Sequence, residues 1–357
     1  MDLLSHLQTF SAPVARITGI GSYVPDEVVD NATLIERVSM PDKLRKVLPR
    51  VIETSTLVKT RRCAPSYASP TDLGVPAVMQ ALENAGRKPE DVDTLIFAST
   101  DTDQLEPATA NTLQHKLGMS RVNAFDVSNA CNSFLQAVNV ANSLISTGAA
   151  RCVAICASEL GTHWICPEVK DKDDLRYKIG ALTLGDAAGA VIMEAADDVS
   201  GISEINLFSM GEYWELCHVP EDPHWRKKTP HNIHGWFYLD MSGLAKVVRP
   251  LSKKYFLQYR DYRKKQHGES HFTDGLQKVI PHQISRRLIT EIATAMHVDL
   301  DLVAITADEF GNTASAAIPF TLHRMIQSGE LELGSGQDVM LFGTASGLGM
   351  GHIRLTL

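Results

Sequence analysis

The order helix, strand, helix, strand occurs twice along the 357-residue sequence, and this repetition restricts the possible folds more than any other feature. In both copies, amphipathic helical patterns alternate with short apolar runs, as in α/β proteins whose strands are buried between helices. The first copy has predicted helices at 75–85 and 134–145 and strands at 91–100 and 152–157; the second has helices at 286–296 and 318–326 and strands at 299–308 and 339–343. We therefore predict two α/β halves, 1–200 and 201–357, with mostly parallel strands.

Any α/β protein shows some alternation of this kind, so the special residues of each copy matter. Cys131 comes just before the second helix of the first copy, and Gly311 and Asn312 occupy the same place in the second. Residues 211–275, between the two copies, read as an irregular excursion rich in His, Trp, Pro and charge that leads into a basic helix. No stretch is poor enough in apolar residues to act as a linker, so we predict that the halves form one compact unit.

Charge and cysteine content exclude several functional classes. A formal net charge of -8 argues against nucleic-acid or membrane-surface partners, which need a large cationic surface. We expect a cytoplasmic protein, because no apolar run approaches the ~18 to 20 residues of a membrane span and the N-terminal residues lack a signal-peptide pattern. Six scattered cysteines are not a disulfide scaffold. Cys152 and Cys156 have no second pair at zinc spacing, so no metal site is expected.

Cys131 lies in a turn of small residues between a predicted strand at 122–127 and a helix. At a helix N-terminus the free backbone N–H groups and the helix dipole favour thiolate over thiol, which is the setting of a nucleophilic cysteine. The alternative is a packed free cysteine, the commoner fate of this residue type.

Three further segments combine strand ends with polar or glycine-rich turns. His282 follows a short apolar strand that ends in proline, and Asn312 opens a helix after a strand. Each has an ordinary interpretation, as a capping or surface histidine and as a helix N-cap. The C-terminal glycine-rich turn, 343–351, lacks the Lys-Ser/Thr of a phosphate loop. Its backbone N–H groups could instead line an oxyanion hole.

In order and spacing these motifs resemble the ketoacyl synthase III family, from about Ile17 to the C-terminus. The resemblance implies a duplicated, five-layered α-β-α-β-α thiolase fold and an obligate homodimer. It also implies a Cys131, His282 and Asn312 triad, with an oxyanion hole formed by the backbone N–H groups of Cys131 and Gly347. It implies no resident cofactor, because the acyl groups arrive as phosphopantetheine thioesters of an acyl carrier protein or of coenzyme A.

Departures from the family pattern shape the expected substrate. Residues 55–62 contain no tryptophan, whereas family members that start fatty-acid synthesis use one near the coenzyme A nucleotide; a carrier-protein donor therefore becomes more plausible. Arg287 still matches a basic position near the pantetheine entrance. The basic segment 246–265, which includes Arg249 and Lys253, could dock an acidic carrier protein or form an ordinary solvated helix face.

Glu106, in a Leu-Glu-Pro segment, replaces an aromatic residue of primer-specific relatives. The segment is similar to relatives that join two acyl chains head to head or form α-pyrones, in which this glutamate comes from the dimer mate and removes the α-proton. A surface glutamate at a helix start is the alternative. We therefore expect a ketosynthase of polyketide, α-pyrone or other secondary metabolism that condenses two acyl thioesters. Decarboxylative extension with a malonyl carrier protein and acyl transfer to oxygen or nitrogen remain alternatives.

Overall fold

A computed structural model describes residues 1–196, 200–220 and 235–357 of the chain. Residues 221–234, part of the excursion expected at 211–275, lie outside the described residues. The strands have the following bounds: β1 Gln8–Thr9, β2 Ala15–Tyr23, β3 Glu27–Asp30, β4 Thr60–Cys63, β5 Thr94–Phe97, β6 Asn123–Asp126, β7 Cys152–Leu160, β8 Asp186–Ala195, β9 Gly201–Ser209, β10 Cys217–His218, β11 Tyr238–Leu239, β12 Leu276–Pro281, β13 Asp338–Ala345 and β14 Gly349–Thr356.

The α-helices range from four residues to a basic helix of 27 residues. Their bounds are α1 Asn31–Glu36, α2 Asp42–Thr56, α3 Pro70–Asn84, α4 Thr109–Lys116, α5 Ser133–Ser146, α6 Lys172–Lys178, α7 Met241–His267, α8 Arg286–Ala295, α9 Ala307–Phe310 and α10 Ala317–Gln327. No described helix is both long and apolar enough to cross a membrane.

Two five-stranded sheets repeat one topology. The first sheet has the order β2-β8-β7-β5-β6, and the second has the order β1-β9-β14-β13-β12. Val303 forms an isolated parallel bridge to Val279 of β12, at the position that β6 occupies beside β5. In each sheet the strand that opens the repeat, β2 or β9, lies beside the strand that closes it, β8 or β14. The predicted boundary at residues 200 and 201 lies between β8 and β9, although β1 of the first half pairs with β9 at the edge of the second sheet.

Alternation of side chains along the strands builds five layers, since successive residues of a strand point to opposite faces. In β13, Val339 and Leu341 pack into the central core with α5 and α10, whereas Met340 and Phe342 pack on the opposite face against α7. The first sheet is arranged likewise, with α3 and α4 covering its outer face. The layers are thus α3 and α4, the first sheet, α5 and α10, the second sheet, then α7 with α8, which is the thiolase fold.

Two details of the predicted secondary structure are wrong. The sheets are mixed and not mostly parallel: among the strands of the described residues, only β5 with β6, β5 with β7 and β12 with β13 pair in parallel. The strand predicted at 299–308 is replaced by a short 3-10 turn, the single Val303 bridge and α9. Burial on both faces gives any strand an apolar run whatever its direction, so such a run could not reveal strand direction.

A buried polar network holds α7 over the second sheet. The Glu204 carboxylate of β9 accepts hydrogen bonds from the Tyr259 hydroxyl and from Arg263 Nη1, the latter at 2.5 Å, and lies 3.5 Å from His352 Nε2. Burial alone would raise the pKa of Glu204, but His352, the Tyr259 hydroxyl and the Arg263 charge outweigh it and lower the pKa to about 2. Arg263 therefore belongs to the interior and not to the basic surface predicted for 246–265.

Candidate active site

One cavity of about 200 Å³ is lined by Cys131, His282 and Asn312 together. The three residues are far apart in sequence: Cys131 and Asn312 precede α5 and α10 of the central layer, whereas His282 follows β12 of the second sheet. Its remaining walls come from the end of α2, the 180–183 segment, α7, the start of α8, β10 and β11, and the C-terminal glycine-rich turn. Three distant motifs of the sequence therefore converge on one concave site.

Cys131 lies on a tight turn between β6 and α5. Ala130, directly before it, has φ of +48°, a left-handed conformation that side chains other than glycine rarely adopt. The Ser133 hydroxyl holds this turn, since it accepts from the Asn129 N–H at 2.8 Å and donates to the Ala130 carbonyl at 2.7 Å. Backbone strain of this kind persists only where the surroundings enforce it, and here it presents the sulfur to the cavity.

The expected thiolate is not what the surroundings of Cys131 favour. Burial raises the pKa of the thiol well above its ordinary value, and the nearby groups Cys217 and Glu159 raise it further. The predicted lowering is therefore wrong, because desolvation of the charged form outweighs the partial charge of the helix N-terminus. The sulfur needs a neighbouring base to become a nucleophile.

His282 is buried and stands at the exit of β12, where its backbone N–H donates to the Phe342 carbonyl at 2.8 Å. Burial lowers the pKa of its imidazole to about 4, so the ring is neutral near pH 7. Its Nδ1 makes no hydrogen bond with any of the described residues. A neutral imidazole can accept a proton and later return it, which is the property that a buried Cys131 thiol requires.

Gln283 anchors the His282 turn, a role that the sequence analysis missed. Its Nε2 donates to the carbonyls of Pro281 and Ala304 at 2.8 and 3.0 Å. Its Oε1 accepts from the backbone N–H groups of Thr306 and Ala307 at 2.8 and 3.1 Å. One buried amide therefore ties the segment carrying His282 to the segment leading to Asn312.

Asn312 is oriented by its own turn. Its backbone N–H donates to the Thr183 carbonyl at 2.8 Å, and its Oδ1 accepts from the Ala314 N–H at 3.0 Å. Within the described part of the chain no group accepts from Nδ2, which leaves this N–H donor for a ligand. Gly311 precedes it with φ of +71°, and a Cβ there would lie 2.5 Å from the Thr183 oxygen. Only glycine fits that position without displacing backbone.

The glycine-rich turn closes the cavity beside Cys131. Thr344, Ala345, Ser346 and Leu348 line the cavity, but Gly347, the predicted oxyanion donor, does not. The role predicted for the Gly347 N–H thus has no support from the cavity lining.

The turn also packs tightly against Asn132. A Cβ on Gly343 would meet the Asn132 Oδ1 at 2.2 Å. The side chain of Asn132, the N-cap of α5, therefore lies against the backbone of Gly343.

Two of the three predicted carrier-binding residues are at the cavity. Arg249 and Arg287 line it, and both donate to Glu291, at 2.9 and 3.0 Å. The bond from Arg287 and the charge of Arg249 lower the pKa of Glu291. Lys253 does not line this cavity; it borders an adjacent groove of about 370 Å³ between α7 and α8.

Glu106 lies outside the cavity of its own chain, on an exposed loop before α4. Leu105, next to it, is 96% exposed.

Two residues at or near the site escaped the sequence analysis. Cys217 lines the cavity with Cys131. Glu159, fully buried at the end of β7, accepts from the Ser315 hydroxyl at 2.5 Å and from the Thr100 N–H at 2.9 Å. Burial and the nearby Asp101 raise the pKa of Glu159 to about 8. The signal available in the sequence was a carboxylate near the end of an otherwise apolar strand.

Nowhere in the described ranges do three or more His, Cys, Asp or Glu side chains cluster as a metal site would require.

Comparisons with known proteins agree with this architecture. Residues 125–211 match the family described as 3-oxoacyl-[acyl-carrier-protein (ACP)] synthase III, and residues 272–357 match its C-terminal region. The β-ketoacyl-[acyl-carrier-protein] synthase III of Roseiflexus castenholzii is 32% identical over 336 residues, covering 93% of this chain and 95% of the relative. That of Methylococcus capsulatus is 30% identical over 346 residues, covering 96% and 98%.

Solved structures show the same fold. The crystal structure of 3-oxoacyl-[acyl-carrier-protein] synthase III from Aquifex aeolicus superposes with a TM-score of 0.79 at 28% identity, covering 96% of this chain and all of that one. An OleA structure from Xanthomonas campestris superposes with a TM-score of 0.81 at 22% identity, covering 96% and 98%. At that identity the second likeness concerns the fold alone.

Proposed function

Because this chain belongs to the β-ketoacyl-[acyl-carrier-protein] synthase III family, we propose that it is a ketosynthase that joins two acyl thioesters by Claisen condensation through an acyl intermediate on Cys131. The observation that carries this proposal is the convergence of Cys131, His282 and Asn312 on one cavity. A sulfur nucleophile, a neutral imidazole and a free carboxamide N–H are the groups that this chemistry uses.

The first half-reaction is transthiolation. The neutral imidazole of His282 accepts the proton of the Cys131 thiol, and the sulfur attacks the carbonyl carbon of the donor thioester. The bond to the carrier thiol breaks, and that thiol leaves with the proton from His282. Backbone N–H groups at the cavity, those of Cys131 and of the residues of the glycine-rich turn that line it, would stabilise the oxyanion that forms in between.

The second half-reaction forms the carbon-carbon bond. His282 and the Nδ2 of Asn312 donate hydrogen bonds to the carbonyl of the second thioester as negative charge develops on its oxygen. Donors aimed at charge that appears only in the transition state accelerate a reaction more than donors that bind the substrate equally well. The enolate carbon then attacks the acyl carbonyl and releases Cys131.

Glu106 of a dimer mate is our candidate for the base that removes the α-proton. Glu106 lies on an exposed loop that does not reach the cavity of its own chain, so this role would have to be played across a subunit interface. This role requires a homodimer and a reaction without decarboxylation. Products of polyketide or α-pyrone type would follow where the chains joined are β-ketoacyl chains.

Arg249 and Arg287 are the residues proposed to meet the carrier. They lie at the cavity wall, and their positive charge attracts either the phosphate of phosphopantetheine or the acidic surface of an acyl carrier protein. Lys253, in the adjacent groove, would contribute to the same surface.

A decarboxylative reaction with malonyl carrier protein is the second candidate, because the relatives at 30 to 32% identity carry that family's name. In that case loss of carbon dioxide generates the enolate and Glu106 is not needed. Measurement of carbon dioxide release per turnover separates the two reactions. Glu106→Gln should abolish condensation in the first case and leave it unchanged in the second.

Intact-protein mass spectrometry tests the acyl intermediate. After incubation with a panel of acyl thioesters, the protein should gain one acyl mass, and Cys131→Ala should gain none. Cys217→Ala is the matched control, because it removes the other cavity cysteine and should still be acylated. Asn312→Ala should accumulate acyl-enzyme without product. Product formation by Cys131→Ala would overturn the mechanism.

A further inference from the structure

Glu159 is a fully buried carboxyl group near the end of β7, and the reaction proposed above gives it no role. Its Oε1 accepts from the Ser315 hydroxyl at 2.5 Å and from the Thr100 N–H at 2.9 Å, and its Oε2 accepts from the Asp101 N–H at 3.2 Å. Burial of a carboxyl group is unfavourable unless its oxygens are hydrogen-bonded, so these bonds hold the group in place. The bond from Ser315 connects it to the active site.

Ser315 belongs to the turn that carries Asn312. The Asn312 Oδ1 accepts from the Ala314 N–H at 3.0 Å, and this bond orients the carboxamide. Ala314 has φ of +46°, a left-handed conformation that residues other than glycine rarely adopt. Strain of this kind persists only where the surroundings enforce it. The bond from Ser315 to Glu159, directly after the strained residue, is such a restraint.

The Asn312 turn is therefore anchored at both ends. At its start, the Asn312 N–H donates to the Thr183 carbonyl at 2.8 Å, and the Gly185 N–H donates to the Asn312 carbonyl at 3.0 Å. At its end, the Ser315 hydroxyl donates to Glu159. Without the second anchor Ala314 can relax, and its relaxation moves the N–H that orients the Asn312 carboxamide.

Glu159 is close to the reacting sulfur without touching the substrate space. Its charge contributes to the raised pKa of the Cys131 thiol, which places it in the neighbourhood of that group. Among the described residues that line the catalytic cavity, neither Glu159 nor Ser315 is included. A buried group that does not reach the cavity acts on the reaction only through the residues that it holds.

We propose that Glu159, acting through Ser315, is a positioning residue for Asn312 and keeps its Nδ2 directed at the carbonyl of the second thioester. The inference rests on the proposed function and deepens it, because it adds a residue to the half-reaction that forms the carbon-carbon bond. Transthiolation does not use Asn312 in that mechanism. Loss of the Ser315 bond should therefore slow condensation and spare the acylation of Cys131.

The test compares Ser315→Ala with Ser158→Ala, a matched control on β7. The Ser158 hydroxyl is also buried, and it donates to the Pro70 carbonyl at 2.6 Å, toward α3 and away from the site. Each variant loses one buried serine hydrogen bond, so urea unfolding should show a similar loss of stability in both. Ser315→Ala should lower kcat for condensation by about tenfold to a hundredfold, the effect of a displacement of up to about 1 Å.

The effect of Ser315→Ala should fall on kcat and hardly on KM, because the Asn312 donor matters most as charge develops in the transition state. The acylation rate of Cys131 should equal that of the wild type. Ser158→Ala should retain both wild-type rates.

Glu159→Gln tests the partner group. Its Oε1 can still accept from Ser315 and Thr100, but its amide nitrogen places an N–H against the Asp101 N–H. This variant should lose stability and still retain most of the condensation rate that Ser315→Ala loses. If the bonds served stability alone, the condensation rate would instead follow the free energy of unfolding across the variants.

Three outcomes would overturn the assignment. One is condensation at the wild-type rate in Ser315→Ala. Another is equal slowing of acylation and condensation in that variant. The third is an effect of Ser158→Ala on condensation equal to that of Ser315→Ala.

A separate measurement distinguishes failure of this inference from failure of the proposed function. If the wild type forms no acyl-Cys131, or if Asn312→Ala condenses normally, the proposed function fails. Hydrogen exchange of the peptide that contains Ala314 still decides whether the Ser315 bond holds the Asn312 turn. Faster exchange in Ser315→Ala than in the wild type supports the positioning role, and unchanged exchange contradicts it.

Discussion

Gln283→Leu should damage both stability and condensation, because this side chain ties together the two segments that carry His282 and Asn312. Gln283 is 1% exposed and makes four hydrogen bonds to backbone groups, two as donor and two as acceptor. Leucine has similar volume but satisfies none of them. Each buried group left without a partner costs about 1 to 3 kcal/mol.

Local relaxation would recover part of that cost, so we expect the free energy of unfolding to fall by about 3 to 5 kcal/mol, the range of the largest single-site effects. The His282 imidazole would lose its fixed position, and a misplacement of about 1 Å costs about a hundredfold in rate. Acylation and condensation rates, with urea unfolding, measure the two effects. Gln258→Leu is the control, since within the described ranges its amide bonds to the N-terminal residues Leu3 and Met1 alone. Loss of less than about 1 kcal/mol in Gln283→Leu would refute this reasoning.

Three other substitutions or conditions test the site and its support. Arg263→Met should lower the free energy of unfolding by about 3 to 5 kcal/mol, because Glu204 remains buried without its cation. In urea unfolding, the lost stability should be recovered when Glu204→Gln is added to this variant. An unchanged urea midpoint in Arg263→Met would contradict the pairing. The rate of Cys131 acylation, measured by rapid quench, should stay constant from pH 7 to about 5 and fall below about pH 4. The reason is that His282 is protonated only at that low pH and can then no longer accept a proton. A fall in rate centred near pH 6.5 would show a solvated imidazole. Gly343→Ala should cost about 1 to 3 kcal/mol in thermal or chemical unfolding, since its Cβ would overlap the Asn132 amide, and full stability would show that Asn132 can move.

Local sequence determined the elements and their special residues. Helices and strands of the first half, and the turns around Cys131, His282 and Asn312, follow from periodicity and turn chemistry within a few residues of each position. The family motifs predicted the fold for the same reason, because each motif specifies the local turn by which a strand leaves the sheet. The prediction of a strand at 299–308 was wrong, because these residues pack as a turn and a short helix although their composition suits a strand.

Only the tertiary structure decided which groups surround the sulfur of Cys131. Burial that raises the pKa of Cys131 comes from distant segments, among them the one bearing Cys217, and no helix-end argument could include it. The packing of α7 on the second sheet likewise decides that Arg263 is buried and that Lys253 lies outside the catalytic cavity. Desolvation and cavity shape are set by residues far apart in sequence, so they appear only when the layers are assembled.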